Sequence, residues 1–276
     1  MRERKTPRTG FRFLDEPAEQ GCVLAFAHRG GALHPDVIGL ENTLAAFRIA
    51  VELGYRYLET DVHATRDGEL LAFHDAHLDR VTDRRGRLAD LPYVDVATAR
   101  VGGREPIPRL VDLLEELPDA RFNVDVKSPE GVEPLVQLIR RTGSHDRLLV
   151  GSFTERVLRR FRARLRAAGG PPVATSCGVA TVTVAKFAPG GRHLQRLLRD
   201  PGVAYQVPVR HRGVPVVDRA FVDRSHASGR PIHVWTIDEA AEMEHLLDLG
   251  VDGLITDRPD VLRDVLRARG LWEGTT

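Results

Sequence analysis

The chain is expected to fold as an α/β protein, a (β/α)8 TIM barrel with a small insertion after the second strand. Three observations carry that expectation. Short β-rich runs recur eight times, each followed by a helical pattern. Several runs are almost wholly apolar, as parallel strands covered on both faces must be. Polar residues gather at the C-terminal ends of the runs, the layer that lines the mouth of such a barrel. A doubly wound sheet would normally have fewer strands and a glycine-rich loop after the first one, whereas here the first run ends in His28-Arg29-Gly30-Gly31.

The strands are read at 23–28, 57–62, 121–126, 148–153, 173–177, 204–209, 232–237 and 253–256. Five intervening helices stand out. Residues 43–54 place apolar side chains at Leu44, Phe47 and Val51 and stop at Gly54. Residues 110–118 end at a proline, and 133–143 and 154–170 follow the same plan. Residues 239–250 are expected to start from an N-cap at Asp238 and end at Gly250. Between the second and third strands the rhythm breaks. A turn signal at Arg66-Asp67-Gly68 leads into a further β-like run at 70–75 and then a charged stretch. The segment from about 66 to 108 is therefore expected to be an excursion above the mouth, and long connections of this kind are usually functional. Residues 1–22 read as a short frayed leader and 23–270 as one barrel domain.

Composition narrows the function classes. The hydrophobic fraction of 42% is that of an ordinary globular protein, so disorder is excluded for most of the chain. Forty basic against 39 acidic side chains argue against a protein that works by clamping nucleic acid on a basic surface. The arginine-rich run 154–170 buries one apolar face, so it reads as a solvated outer helix. No run is long and apolar enough for a membrane span, and the N-terminus has no signal-peptide core. Two cysteines far apart, Cys22 and Cys177, suit a reducing compartment, and a cytoplasmic location is expected. Only Lys5, Lys127 and Lys186 are lysines; every other basic residue is arginine. Under such a bias, a retained lysine suggests a need for an ammonium.

The polar strand ends hold the chemistry. Glu59, Asp61 and His63 alternate along the second strand and share one face, and Asp125 and Lys127 do the same on the third. Three carboxylates meeting on adjacent strands repel one another unless a cation intervenes. All-oxygen ligation favours a hard divalent ion, Mg²⁺ or Ca²⁺, while a salt-bridge network with Arg29 and Lys127 is the structural alternative. His28 ends the first strand and His74 sits in the excursion, a pair able to serve as general acid and base near neutral pH. Acid, base, positive charge and metal together describe phosphoryl transfer or phosphodiester cleavage. His63 is read as structural, Thr256-Asp257-Arg258-Pro259 as the segment closing strand eight and capping the last helix, and Asp252 as a turn residue. Ser152 and Phe153 are placed at the pocket edge, and the remaining histidines, His193 among them, show no ligand spacing.

These residues resemble a known family. Ala27-His28-Arg29-Gly30, Glu41-Asn42-Thr43, Glu59-Thr60-Asp61-Val62, Phe73-His74-Asp75 with Leu78, Arg80 and Thr82, Asn123 to Lys127, His233 to Thr236 and Gly250 to Pro259 are similar to the glycerophosphodiester phosphodiesterases over roughly residues 23–266. The resemblance implies a TIM barrel with an insertion after strand two, and hydrolysis of glycerophosphodiesters to an alcohol and sn-glycerol 3-phosphate with a divalent metal. It implies metal ligation by Glu59, Asp61 and Asp125 and acid–base roles for His28 and His74. It implies phosphate binding by Arg29 and Lys127, a pocket wall at Trp235 and an orienting role for Glu41. Many members have glutamate where this chain has Asp125, and the related venom sphingomyelinase D enzymes use aspartate there. The expected partner is a small glycerophosphodiester, with no nucleic acid and no stable membrane insertion. Two alternatives are a lysophospholipase D-like activity on single-chain lipids and a barrel that binds a phosphorylated ligand without turnover.

Overall fold

The apolar runs become strands because both of their faces find cover, side chains of one parity turning into a ring and those of the other meeting helices. The computed structural model describes residues 6–188 and 200–274, so His193 lies outside the described residues. Eight parallel strands are present among them: β1 (Leu24–His28), β2 (Tyr57–Ala64), β3 (Arg121–Val126), β4 (Leu148–Gly151), β5 (Ala174–Thr175), β6 (Tyr205–Pro208), β7 (Ile232–Trp235) and β8 (Gly253–Thr256). A helix follows each: α1 (Leu44–Glu52), α2 (Leu110–Glu116), α3 (Val132–Thr142), α4 (Glu155–Ala167), α5 (Val179–Phe187), α6 (Arg219–Ala227), α7 (Ala240–Leu249) and α8 (Pro259–Ala268).

The strands run β5-β4-β3-β2-β1-β8-β7-β6. The ring closes where the Val203 N–H donates to Thr175 O at 2.9 Å and the Cys177 N–H to Ala204 O at 2.8 Å. Ser176 pairs directly with Ala204, but the same level followed through the other strands reaches β6 eight residues later, at Arg212. That stagger is the shear of a TIM barrel. Inside the ring, Leu24, Phe26, Tyr57, Leu149, Ala174, Ala204 and Ile255 fill the lower part. Outside, Ala25, Leu58, Phe122, Val124 and Val150 pack under the helices.

The leader corrects the sequence expectation. Residues Arg12–Glu19 form a helix, and Phe13 and Leu14, fully buried, complete the interior cluster at the N-terminal end of the barrel. The Tyr57 hydroxyl donates to Phe13 O at 2.9 Å, and Glu16 pairs with Arg56 at 3.0 Å and with Arg121. An open barrel end exposes apolar side chains, and this helix covers them. Two local readings also change. Helix α7 begins at Ala240 with Glu239 at its N-cap, because Asp238 Oδ1 instead accepts from the Thr256 hydroxyl at 3.0 Å and the Asp257 N–H at 2.8 Å. Asp252 is buried and accepts from the Ile232 N–H at 2.9 Å and contacts His226 Nε2 at 2.8 Å, so it anchors the foot of β7.

The excursion is a small body of its own. Leu70–Ala72 pairs antiparallel with the end of β2. Leu71, Phe73, Leu78, Leu88, Val96, Val101 and Ile107 form a separate core beside the barrel.

His233 faces the interior from β7, fully buried against Phe26, and neither of its ring nitrogens has a hydrogen-bond partner among the described residues. Burial, with Asp252 opposing, pushes its pKa down from 6.5 to about 4. Between those values the unfolded chain binds a proton that the folded chain refuses, so stability falls as the pH drops through this window, by about 3 kcal/mol in all. Urea unfolding of His233→Leu at pH 7 and pH 4.5 should show a loss on acidification smaller than that of wild type by about 2–3 kcal/mol. An equal loss in both proteins would clear His233 of this role.

Candidate active site

The site begins with a tight turn after β1. Gly30 and Gly31 take φ of +84° and +86°, and a Cβ at either would lie 2.7 Å from Ala46 Cβ or 2.4 Å from Pro259 Cγ. Only glycine lets the chain turn this closely between α1 and α8. Arg29 itself sits in the left-handed region at φ 51°, held by its N–H donating to Glu59 O at 3.0 Å and its carbonyl accepting from the Asn42 N–H at 2.8 Å. Strain of this kind in a non-glycine residue collects at functional sites.

Register then sets the carboxylates. Glu59 lies opposite His28 across β1 and β2, and Asp61 lies opposite Asp125 across β2 and β3. The Lys127 ammonium bridges the second pair, with Nζ 2.7 Å from Asp61 Oδ1 and 2.7 Å from Asp125 Oδ2. Arg29 Nε lies 3.0 Å from Asp61 Oδ2 as an ion pair, although its N–H is not aimed to make a hydrogen bond. The Asn42 amide donates to the same oxygen at 3.2 Å and is itself held by the Thr60 hydroxyl at 2.8 Å.

This crowding of charge moves the titrations. Burial, then Asp61 and Asp125, push the Glu59 carboxyl up to about 8, with His28 and Lys127 opposing. Burial would raise Asp61 too, but Lys127 and Arg29 hold it below the usual carboxylate range. Burial, with Asp61 adding to it, leaves Asp125 raised despite Lys127. Burial lowers the Lys127 ammonium, and Asp125 and Asp61 more than restore it.

Both candidate acid–base histidines are gripped through Nδ1. His28 Nδ1 lies 2.7 Å from Asp257 Oδ1, and its Nε2 is 3.8 Å from Glu59 Oε2. Burial pulls the His28 pKa down, but Glu59 and Asp257 outweigh it and leave the value raised. His74 Nδ1 lies 2.6 Å from Asp75 Oδ1, and its carbonyl meets His63 Nε2 at 3.1 Å, which gives His63 a structural part. Trp235 stands at the end of β7 with Phe153 edge-on to it at 5.4 Å, and the face of Phe153 is 5.5 Å from Lys127 Nζ. The Ser152 hydroxyl pins this loop to Val126 O at 2.7 Å. Glu41 does not reach the carboxylates; it accepts from Arg29 at 3.2 Å and from Arg80 at 2.7 and 3.0 Å.

The clearest residue missed in the sequence is Asp257. The sequence places it in a segment closing strand eight and capping the last helix, whereas the structure sets it on His28. A carboxylate one step past a strand end was the available signal. Asn42, whose role its sequence motif does not reveal, braces Asp61.

A model of the glycerophosphoryl diester phosphodiesterase family matches residues 28–261. The chain belongs to that family. It is 43% identical over 92% of its length to the probable glycerophosphodiester phosphodiesterase 2 of Mycobacterium tuberculosis, of which the match covers 94%. Its fold is that of a putative glycerophosphoryl diester phosphodiesterase of Silicibacter pomeroyi, with a TM-score of 0.76, 22% identity, and coverage of 95% of this chain and 99% of the other. It is also that of an Oleispira antarctica phosphodiesterase in complex with the product sn-glycerol 3-phosphate, with a TM-score of 0.73, 22% identity, and coverage of 90% and 98%. No helix among the described residues of this phosphodiesterase-family chain is long and apolar enough to cross a membrane.

The family generally uses a divalent cation, and the donors here suit a hard one. Glu59, Asp61 and Asp125 offer carboxylate oxygens on neighbouring strands, and Glu59 is raised first by burial and then by the charge of Asp61 and Asp125. Among the described residues, however, no group of three ligating side chains converges on one point, and the Lys127 ammonium stands between Asp61 and Asp125. Donor type therefore fits the ion, and a bound ion would have to share that space with Lys127.

Proposed function

We propose that the chain hydrolyses glycerophosphodiesters to an alcohol and sn-glycerol 3-phosphate in a metal-dependent reaction with a histidine acid–base pair. One observation carries the reading: two imidazoles, each fixed at Nδ1 by its own carboxylate, flank a buried cluster of acids and one ammonium. Fixing Nδ1 leaves Nε2 of each ring to move protons. Arg29 and Lys127 bind the phosphate, and Trp235 walls the pocket. His74 takes the proton of the nucleophile, either water or the glycerol 2-hydroxyl, the latter giving a cyclic phosphate that water then opens to sn-glycerol 3-phosphate. The oxygen–phosphorus bond forms as the bond to the leaving alcohol breaks, and His28 returns a proton to that alkoxide. Glu59, Asp61 and Asp125 would hold a divalent cation, Mg²⁺ or Ca²⁺, which supplies Lewis-acid neutralisation of the phosphate oxygens. The substrate is a small soluble molecule, since the charged excursion borders the site, and the reading includes a cytoplasmic location. The product bound in the Oleispira enzyme supports the same chemistry.

The test is release of sn-glycerol 3-phosphate from glycerophosphocholine and glycerophosphoethanolamine. EDTA should cut release by about 100-fold or more, and Mg²⁺ or Ca²⁺ should restore it. Full activity in EDTA would remove the metal from the mechanism. No release with Mg²⁺, Ca²⁺ or Mn²⁺ would overturn the substrate assignment and point to single-chain lipids.

A further inference from the structure

We propose that Arg80 is a positioning residue for this reaction, holding His74 in place by clasping Asp75 and Glu41 at once. The inference rests on the acid–base reading of His74. That histidine does not stand on a barrel strand. It belongs to the excursion, whose core is separate from the barrel's, so its side chain has to be aligned with a site built on other elements.

Two contacts perform the alignment. The His63 imidazole meets the His74 carbonyl and so fixes backbone. The side chain is set by a chain of charged groups. His74 Nδ1 meets Asp75 Oδ1 at 2.6 Å. Arg80 donates to Asp75 from Nε at 2.6 Å and from Nη2 at 3.2 Å. The same guanidinium donates to Glu41 from Nη1 at 3.0 Å and Nη2 at 2.7 Å. Glu41 Oε1 also accepts from Arg29 Nη1 at 3.2 Å. One planar fork thereby links the general-base side of the site, on the excursion, to the phosphate-binding side, on the turn after β1.

The geometry demands arginine. Two carboxylates met by separate edges of one guanidinium cannot be matched by the point charge of a lysine. The Arg80 side chain is 48% exposed, and ion pairs so open to water add little to folding stability. The contribution is therefore alignment. A catalytic group misplaced by about 1 Å costs on the order of 100-fold in rate.

The experiment measures kcat, KM and melting temperature for Arg80→Ala and Arg80→Lys in the full chain, alone and with His74→Ala, on glycerophosphoethanolamine with its working metal. Arg80→Ala should lose about 100-fold in kcat with little change in KM or melting temperature. Arg80→Lys should recover only a small part of that loss, and added guanidinium should restore part of the rate of Arg80→Ala. In the His74→Ala background the Arg80 change should cost nothing more, since the group it positions is gone. A kcat for Arg80→Ala within about twofold of wild type, or a loss that multiplies that of His74→Ala, would overturn the proposal. So would a loss matched by a lowered melting temperature. Wild type inactive with every metal would instead fail the functional reading, which the first assay reports separately.

Discussion

His28→Ala and His74→Ala should each lower kcat by about 1,000-fold, because each removes one of the two proposed proton carriers, whose worth lies in the range of about 100- to 10,000-fold. Neither side chain belongs to the three-carboxylate cluster, so divalent-cation binding, followed by calorimetry, should persist in both variants. The double variant should fall little below the singles, since an acid and a base acting in one transition state do not add independently. Asp257 supplies the finer test. It holds His28 Nδ1 at 2.7 Å and is itself set by Asp238 through its backbone N–H. Asp257→Ala should therefore cost about 10- to 100-fold in kcat, and nothing further once His28 is alanine. A His28 or His74 variant turning over near the wild-type rate would remove that histidine from the mechanism.

The parts of the site visible in the sequence are those set by local spacing. A strand repeats every two residues, so Glu59 and Asp61, or Asp125 and Lys127, announce a shared face on their own. The barrel was visible for a similar reason, since apolar runs and amphipathic stretches alternate along the chain. What stayed hidden depends on partners distant in sequence. Asp257 meets His28 because β8 pairs with β1 in the register Ala27 to Thr256, which no spacing along the chain reveals. Arg80 reaches Glu41 across the gap between the excursion and the first loop. Phe13 and Leu14 look like two apolar residues in a charged leader until an open barrel end gives them something to cover. The place of Asp238 before a helix predicts a cap, but the two donors at the end of β8 compete for its carboxylate and win. Helix α6 is hard to see in the sequence because its apolar stripe is narrow, with only Phe221 and Val222 as its buried apolar side chains.

Lys127 ties the composition of the chain to its chemistry. In a protein that uses arginine for nearly every cation, this position keeps lysine, and the structure gives the reason in two equal distances. One nitrogen, 2.7 Å from both Asp61 and Asp125, neutralises two buried carboxylates on adjacent strands. A guanidinium is larger, its donors are spread along a rigid fork, and it has no single atom to set between them. Lys127→Ala should lower kcat/KM by about 1,000-fold, the upper end of what removing one positioned electrostatic group costs. It should also destabilise the fold by about 3 kcal/mol in urea unfolding, because Asp61 and Asp125 are left buried with much of their neutralising charge gone. Lys127→Arg should keep most of that stability yet still lose about 100-fold in kcat/KM, since charge is preserved and placement is not. The two substitutions separate the claims. An arginine variant near the wild-type rate would show that the site needs only a positive charge there. An alanine variant that keeps its rate would show that Lys127 does not hold the phosphate.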